Sequence, residues 1–300
     1  MTNDFECYRD IIPEFSLFQE SLQRPLPTYI RVNTLKAEPN QLVETLKGKG
    51  VQLEKASEKI DTLYLAPDLQ SPGNLLEYFL GYIHPQTLSS GLAALALSPR
   101  ENSFVLDMCA APGGKSTHLA QLMKNTGLII ANELYRSRLN PLGATLARLG
   151  VVNTIVTSYQ AQEFPLKQRF DFILADVPCS GEGRVRRVNK RSTHRKIENR
   201  RKLFDLQKKI ILRGFDLLTE TGEMLYATCT YNPEENESVV DFLLKNRDAR
   251  LLALEDDLGH EPGLSGWKEQ HYDSQMRKAG RFYPHRIDSV GFFMARIGKR

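Results

Sequence analysis

The chain has 300 residues, 41% hydrophobic and 25% charged, a balance that excludes a disordered or fibrous protein. Its formal charge of +4 hides an uneven distribution: residues 184–202 hold ten Lys or Arg against one Glu, a net +9, and the other 281 residues carry a net −5. No apolar run approaches the roughly 20 residues of a membrane span, and the four cysteines (Cys7, Cys109, Cys179, Cys229) form neither a disulfide framework nor a paired zinc pattern. The first ten residues, MTNDFECYRD, have no basic start and no apolar core, so no secretory leader is expected. The expectation is a cytoplasmic protein that holds no metal and does not enter membranes.

In chain order, residues 1–80 read as a small α/β unit. TYIRVNTL (28–35) is strand-like, NQLVETLKG (40–48) a helix closed by glycine, and 51–53 and 62–65 are strand-like. YIHPQTLSSGLAALALSP (82–99) reads as a helix after a turn, ended by Pro99. Over 81–300 strands and helices alternate. Strands are expected at 103–109, 127–133, 153–159, 170–178, 222–230 and 291–297, and helices at 116–125, 138–150, 203–219 and 234–246. That alternation predicts a doubly wound, mostly parallel, Rossmann-like sheet, with ligands beyond the carboxyl ends of its strands. No internal repeat or low-complexity linker interrupts it.

The turn D-M-C-A-A-P-G-G-K-S (107–116) leads from strand to helix, where glycines admit a ligand and free N–H groups face it. A nucleotide triphosphatase loop needs glycine where Cys109 stands, and the dinucleotide pattern G-x-G-x-x-G is absent. A purely structural turn is a further reading. An adenosyl cofactor fits better, because Glu133 ends the next strand, where a carboxylate accepts ribose hydroxyls. Cys179, in D-V-P-C-S-G-E-G (176–183), and Cys229, in Y-A-T-C-T-Y-N-P-E-E-N-E (226–237), follow successive strands on that same edge. A lone thiol in a sheet is usually an inert small hydrophobe. Two at one ligand-binding edge, near Lys115 and a basic tract, suit nucleophilic chemistry. The tract itself suits a polyanion, with a solvated helix face as the plain alternative.

VLDMCAAPGGKSTHLA, DVPCSGEG, YATCTYNPEENE and RFYPHRIDSVGFFMARI together resemble the Sun/Nop family of RNA cytosine-5 methyltransferases, which includes the RsmB and RsmF groups. IRVNTLK, the HPQ…SS segment and ANELYRSR lie nearest the RsmF group, and the resemblance runs from about Arg31 to the end. It implies a class I methyltransferase using S-adenosylmethionine, with 1–80 as an RNA-binding-like domain. Cys109, Ala110, Ala111, Pro112, Gly113, Gly114 and Lys115 would form the cofactor loop; Glu133, Arg138, Gln160 and Asp176 would complete that site. Gln160 stands where the family usually has Asp. Cys229 would attack C6 of the cytosine and Cys179 would help release the product, although DNA cytosine methyltransferases attack with the PC cysteine. Asp176, kept protonated by burial, could serve the ring nitrogen. Arg184, Arg186, Arg187, Lys190 and Arg191 are expected to grip RNA phosphates, in place of the usual appended C-terminal RNA-binding domain, which is not expected here. The expected partner is ribosomal RNA, the alternatives transfer RNA or a silent ribosome-assembly role, and a monomer suffices.

Overall fold

The computed structural model describes residues 5–57, 60–186, 197–255 and 258–300, with backbone alone for 197–199. The first half contains α1 (Phe15–Ser21), β1 (Tyr29–Val32), α2 (Pro39–Gly48), β2 (Glu54–Lys55), β3 (Leu63–Leu65), α3 (Leu76–Phe79), β4 (Ile83–Pro85), α4 (Leu88–Leu97), β5 (Phe104–Asp107), α5 (Gly114–Leu122), β6 (Leu128–Asn132), α6 (Arg136–Arg148) and β7 (Thr154–Thr157). The second contains β8 (Phe170–Asp176), α7 (Ile197–Asp216), β9 (Leu218–Thr228), α8 (Glu237–Asn246), β10 (Ala249–Leu252), β11 (Glu261–Pro262), β12 (Gly266–Trp267), β13 (Gln270–His271), β14 (Gly280–Phe282), α9 (Pro284–Ile287) and β15 (Phe292–Lys299).

The small antiparallel sheet runs β2-β3-β1-β4. Ile30, Val32, Tyr64 and Ile83 bury one face against Leu42, Val43 and Leu46 of α2. That helix starts cleanly: Glu38 caps it by accepting from the Gln41 N–H at 2.7 Å, and Pro39 occupies its first turn. The segment expected as one helix over 82–99 begins instead with β4, because the residue before a proline is driven toward extended backbone, and here His84 precedes Pro85. The helix proper starts at Leu88. Residues 5–22 do not join this sheet. Tyr8, Ile12, Phe15, Phe18 and Leu22 pack against Tyr231 and Tyr283 of the large unit.

The large sheet has the order β11-β14-β15-β9-β8-β5-β6-β7, with β10 alongside β15. Strands β9-β8-β5-β6-β7 are parallel, and β15 enters antiparallel between β9 and β14. Near-continuous apolar strands fit a sheet covered on both faces. Leu106, Ile173, Ala175 and Tyr226 face Ile210, Ile211 and Phe215 of α7 and Val239, Val240 and Leu243 of α8. Their neighbours Val105, Phe172, Leu174 and Leu225 face Leu92 of α4 and Leu119 and Ala120 of α5. The chain reverses direction across the sheet at β5, so the crevice beyond β5, β8 and β9 is the topological switch point.

Candidate active site

Strand β8 ends at Asp176 and β9 at Thr228, adjacent and parallel, so the turns that follow them meet. They bring the Cys179 and Cys229 sulfurs to 3.1 Å, and the Cys229 N–H donates to the Cys179 sulfur at 3.3 Å. Both thiols are free and half-buried. The Cys179 S–H donated to Cys229 holds the Cys229 thiol below the ordinary thiol range, helped by Arg184 and Lys115 and opposed by burial and the Asp176 charge. The same bond, with burial, pushes Cys179 far up. Of the two, Cys229 is the more readily ionised and Cys179 the less.

The P-E-E-N run fixes these turns from behind. Glu235 Oε2 accepts the Ser180 N–H at 2.8 Å and the Gln207 amide at 2.9 Å, and Gln207 also donates to the Pro178 carbonyl at 2.9 Å. Asn236 straddles Cys229: it accepts from the Thr228 hydroxyl at 2.5 Å and donates to the Thr230 carbonyl at 3.0 Å. Gly183 lies so close to Gly291 that a Cβ on it would sit 2.1 Å from the Gly291 oxygen, and its N–H donates to the Cys229 carbonyl at 2.9 Å. The expected helix over 234–246 starts only at Glu237, because Glu235 and Asn236 are spent on this clamp.

On the other side Lys115 reaches out of the Gly-rich turn and donates to Asp176 Oδ2 at 2.7 Å. Burial alone would lower the Lys115 pKa, but Asp176, and behind it Asp107, raise it. Asp107 accepts the Ser116 hydroxyl at 2.7 Å, and burial pushes its carboxyl up to about 6. Asp176, the residue expected to serve the ring nitrogen, thus has the Lys115 ammonium as its partner.

The turn from Cys109 through Ala110, Ala111 and Pro112 reaches Gly113, whose φ of +102° at the head of α5 only glycine adopts readily. Gly114 and Lys115 form the first turn. Burial and three carboxylates push the Cys109 thiol well up. Glu133 is 3% exposed; it accepts the Tyr135 N–H at 2.9 Å and pairs with Arg138 at 3.1 Å, and Arg138 also donates to the Ala111 carbonyl. Asn132 ties the strand ends together, donating to the Met108 and Tyr159 carbonyls at 3.1 and 2.9 Å. Gln160 lies on this rim, exposed, its amide oxygen accepting from Gln162 at 2.7 Å and its nitrogen donating to Glu163 at 3.0 Å.

A profile of the family described as 16S rRNA methyltransferase RsmB/F matches residues 94–298. The chain belongs to the RsmB/F family. A human 28S rRNA (cytosine(4447)-C(5))-methyltransferase is 38% identical over 298 residues, 97% of this chain but 37% of that protein. A tRNA (cytosine(49)-C(5))-methyltransferase of Pyrococcus abyssi is 37% identical over 284 residues, 94% of this chain and 91% of that one. The solved structure of a methyltransferase homolog from Pyrococcus horikoshii superposes with a TM-score of 0.87 at 34% identity, covering 98% of this chain and 94% of that one. The fold is the class I methyltransferase fold expected from the sequence.

The structure of this RsmB/F member thus brings Cys179, Cys229, Asp176 and Lys115 together at one edge, with Glu133 and Arg138 beyond the neighbouring strand. It corrects one expectation. Arg186 is 4% exposed and donates to the Ser289 carbonyl at 2.6 Å, so its guanidinium is internal and cannot grip a phosphate. Arg184 is exposed beside the thiols. Arg187, Lys190 and Arg191 lie outside the described residues. The sequence reading missed the clamp of Gln207, Glu235 and Asn236 and the tie at Asn132. The run P-E-E-N directly after a cysteine turn was the available signal for the first; nothing local marked Gln207 or Asn132.

Proposed function

We propose that the chain is an S-adenosylmethionine-dependent RNA cytosine-5 methyltransferase in which Cys229 forms the bond to C6 and Cys179 assists its release. The observation that carries this is the thiol pair, 3.1 Å apart with opposed pKa shifts, beside the Lys115–Asp176 ion pair at the switch point. Cytosine C5 is a poor nucleophile, and a thiolate adding to C6 makes it an enamine carbon. The Lys115 ammonium, held by Asp176, can donate to the ring where negative charge gathers. Once C5 carries the methyl group, solvent takes the C5 proton, the C5–C6 double bond re-forms as the C6–S bond breaks, and the ring returns its borrowed proton to Lys115; the Cys179 S–H stabilises the departing Cys229 thiolate.

The residues present fit the cofactor. Glu133 offers carboxylate oxygens at the end of β6, and the first N–H groups of α5 face the same crevice. Leu134, Tyr135 and Tyr159 are 43%, 59% and 46% exposed there, as apolar side chains awaiting a flat base would be. When bound, S-adenosylmethionine supplies an electrophilic methyl group. Cys109 to Lys115, Glu133, Arg138 and Asp176 would hold it. Gln160 fits less well, because its acceptor oxygen already serves Gln162.

Ribosomal RNA is the substrate this reading favours, on the family description and the human relative. Transfer RNA is the second reading, favoured by the P. abyssi relative, which this chain matches over nearly its whole length. The chain spans only 37% of the human relative. A monomer in the cytoplasm accounts for a site built wholly from one chain. The basic tract around Arg184 would contact phosphates. Methyl transfer from labelled cofactor to unmethylated small- and large-subunit rRNA, ribosomal subunits and tRNA tests the reaction and its substrate. Label should appear in 5-methylcytidine and vanish in Cys229→Ser, while Cys179→Ser should trap a protein–RNA adduct. An adduct with Cys229→Ser instead would reverse the two thiols, and no label on any RNA would sink the reading.

A further inference from the structure

Two segments that the proposed chemistry leaves unused, IRVNTLK (30–36) and HPQ (84–86), meet in one buried seam between the small sheet and helices α5 and α6. Arg31 of β1, 0% exposed, donates to the Thr117 hydroxyl at 2.8 Å, and that hydroxyl donates to the Gly114 carbonyl at 3.1 Å. Gln86 donates to the same carbonyl at 3.3 Å, and Gln121 to the Val32 carbonyl at 3.2 Å. So the small sheet grips the first turn of α5, the turn that contains Lys115. It also grips the far end of α6, the helix that contains Arg138. Asn33 donates to the Leu149 carbonyl and Lys36 to the Arg148 carbonyl, both at 2.8 Å. Gly81 is so near that a Cβ on it would sit 1.9 Å from that carbonyl.

Arg31 is an expensive way to hold two units together. Its Nε and Nη1 are buried without a partner, and no carboxylate pairs with it among the described residues. Burial, with Arg148 nearby, pulls its pKa down to about 9. Apolar side chains of similar volume commonly replace buried charges with no loss of stability, sometimes with a gain. The guanidinium is therefore poorly explained by stability alone and well explained by the fixed direction of its bond to Thr117.

We propose that Arg31 is a positioning residue: through Thr117 it sets the Gly113–Lys115 turn in the conformation that binds the cofactor, so the small sheet serves cofactor binding as well as any RNA contact. This deepens the methyltransferase reading and rests on it.

Calorimetric binding of S-adenosylhomocysteine, which needs no RNA, tests it on the full chain, with thermal unfolding as the control. Arg31→Met should raise Kd about tenfold or more while leaving the unfolding temperature unchanged or higher. Thr117→Val, which leaves the buried Arg31 guanidinium without its hydroxyl acceptor and so should also lower the unfolding temperature, should raise Kd several-fold. The double variant should lose no more than Arg31→Met alone, because both remove one bond, and Arg31→Lys should recover part of the loss. Unchanged Kd in Thr117→Val and Arg31→Met overturns the proposal, as does a lowered unfolding temperature without a change in Kd, or strictly additive losses. A wild-type chain that does not bind the nucleoside overturns the methyltransferase reading, and this proposal with it.

Discussion

Cys229 owes its low pKa first to one donated hydrogen bond, from Cys179. Removing that donor moves the thiolate's onset to higher pH. Alkylation of Cys229 by iodoacetamide, followed by mass spectrometry, should show its half-maximal pH raised in Cys179→Ala. Arg184→Gln should move it the same way by less, since Arg184 is exposed and its field is screened. No movement in either would mean that burial and the Asp176 charge set the thiol. Glu235 makes the neighbouring case. Glu235→Ala leaves the Ser180 N–H and the Gln207 amide without their acceptor, at about 1–3 kcal/mol for each buried donor left unpaired. Urea unfolding should show a loss of about 2–6 kcal/mol for the two donors together, and methyl transfer should fall further than stability does, because the Cys179 turn is released.

At the scale of elements, the two cysteine turns work because backbones approach closely. Gly183→Ala would force a methyl group onto the Gly291 carbonyl and push the Cys179 turn away from β9. A displacement of about 1 Å at a reacting group can cost about 100-fold in rate, so kcat should fall on that order with little change in cofactor Kd. Such turns were legible in the sequence as motifs, and the strands before them as apolar runs over 103–109, 170–178 and 222–230, each of which stops two residues earlier in the structure, at Asp107, Asp176 and Thr228. Less was legible where elements are short. The two-residue strands β11, β12 and β13 offer no period to read, and α1 was missed because the cluster that buries Phe15 and Phe18 is completed by Tyr231 and Tyr283 from far along the chain. A basic run cannot say which arginine turns inward, so Arg186 was misread.

For the molecule as a whole, the seam between the two sheets predicts acid sensitivity. His84 accepts from Arg148 through Nδ1 at 3.0 Å, a bond only the neutral ring can make. Burial, with Arg31 and Arg148, presses its pKa down to about 3, and the buried His118 moves the same way. The unfolded chain, whose histidines titrate near 6.5, then binds more protons than the folded one. Stability should fall as pH drops below about 6.5 and keep falling toward 3, at up to about 1.4 kcal/mol per pH unit for each such histidine. Urea unfolding at pH 7, 6 and 5 should show that slope, flattened in His84→Gln; an equal slope in the variant would place the acid sensitivity elsewhere. The last strand of the large sheet has a consequence of another kind. Because β15 lies between β9 and β14, the strand that leads to Cys229 has a bare edge until residues 292–299 have been synthesised. On the ribosome the Cys229 thiol is therefore made long before the sheet that shelters it can close. The interval in between is when a nascent-chain chaperone would matter most to this protein.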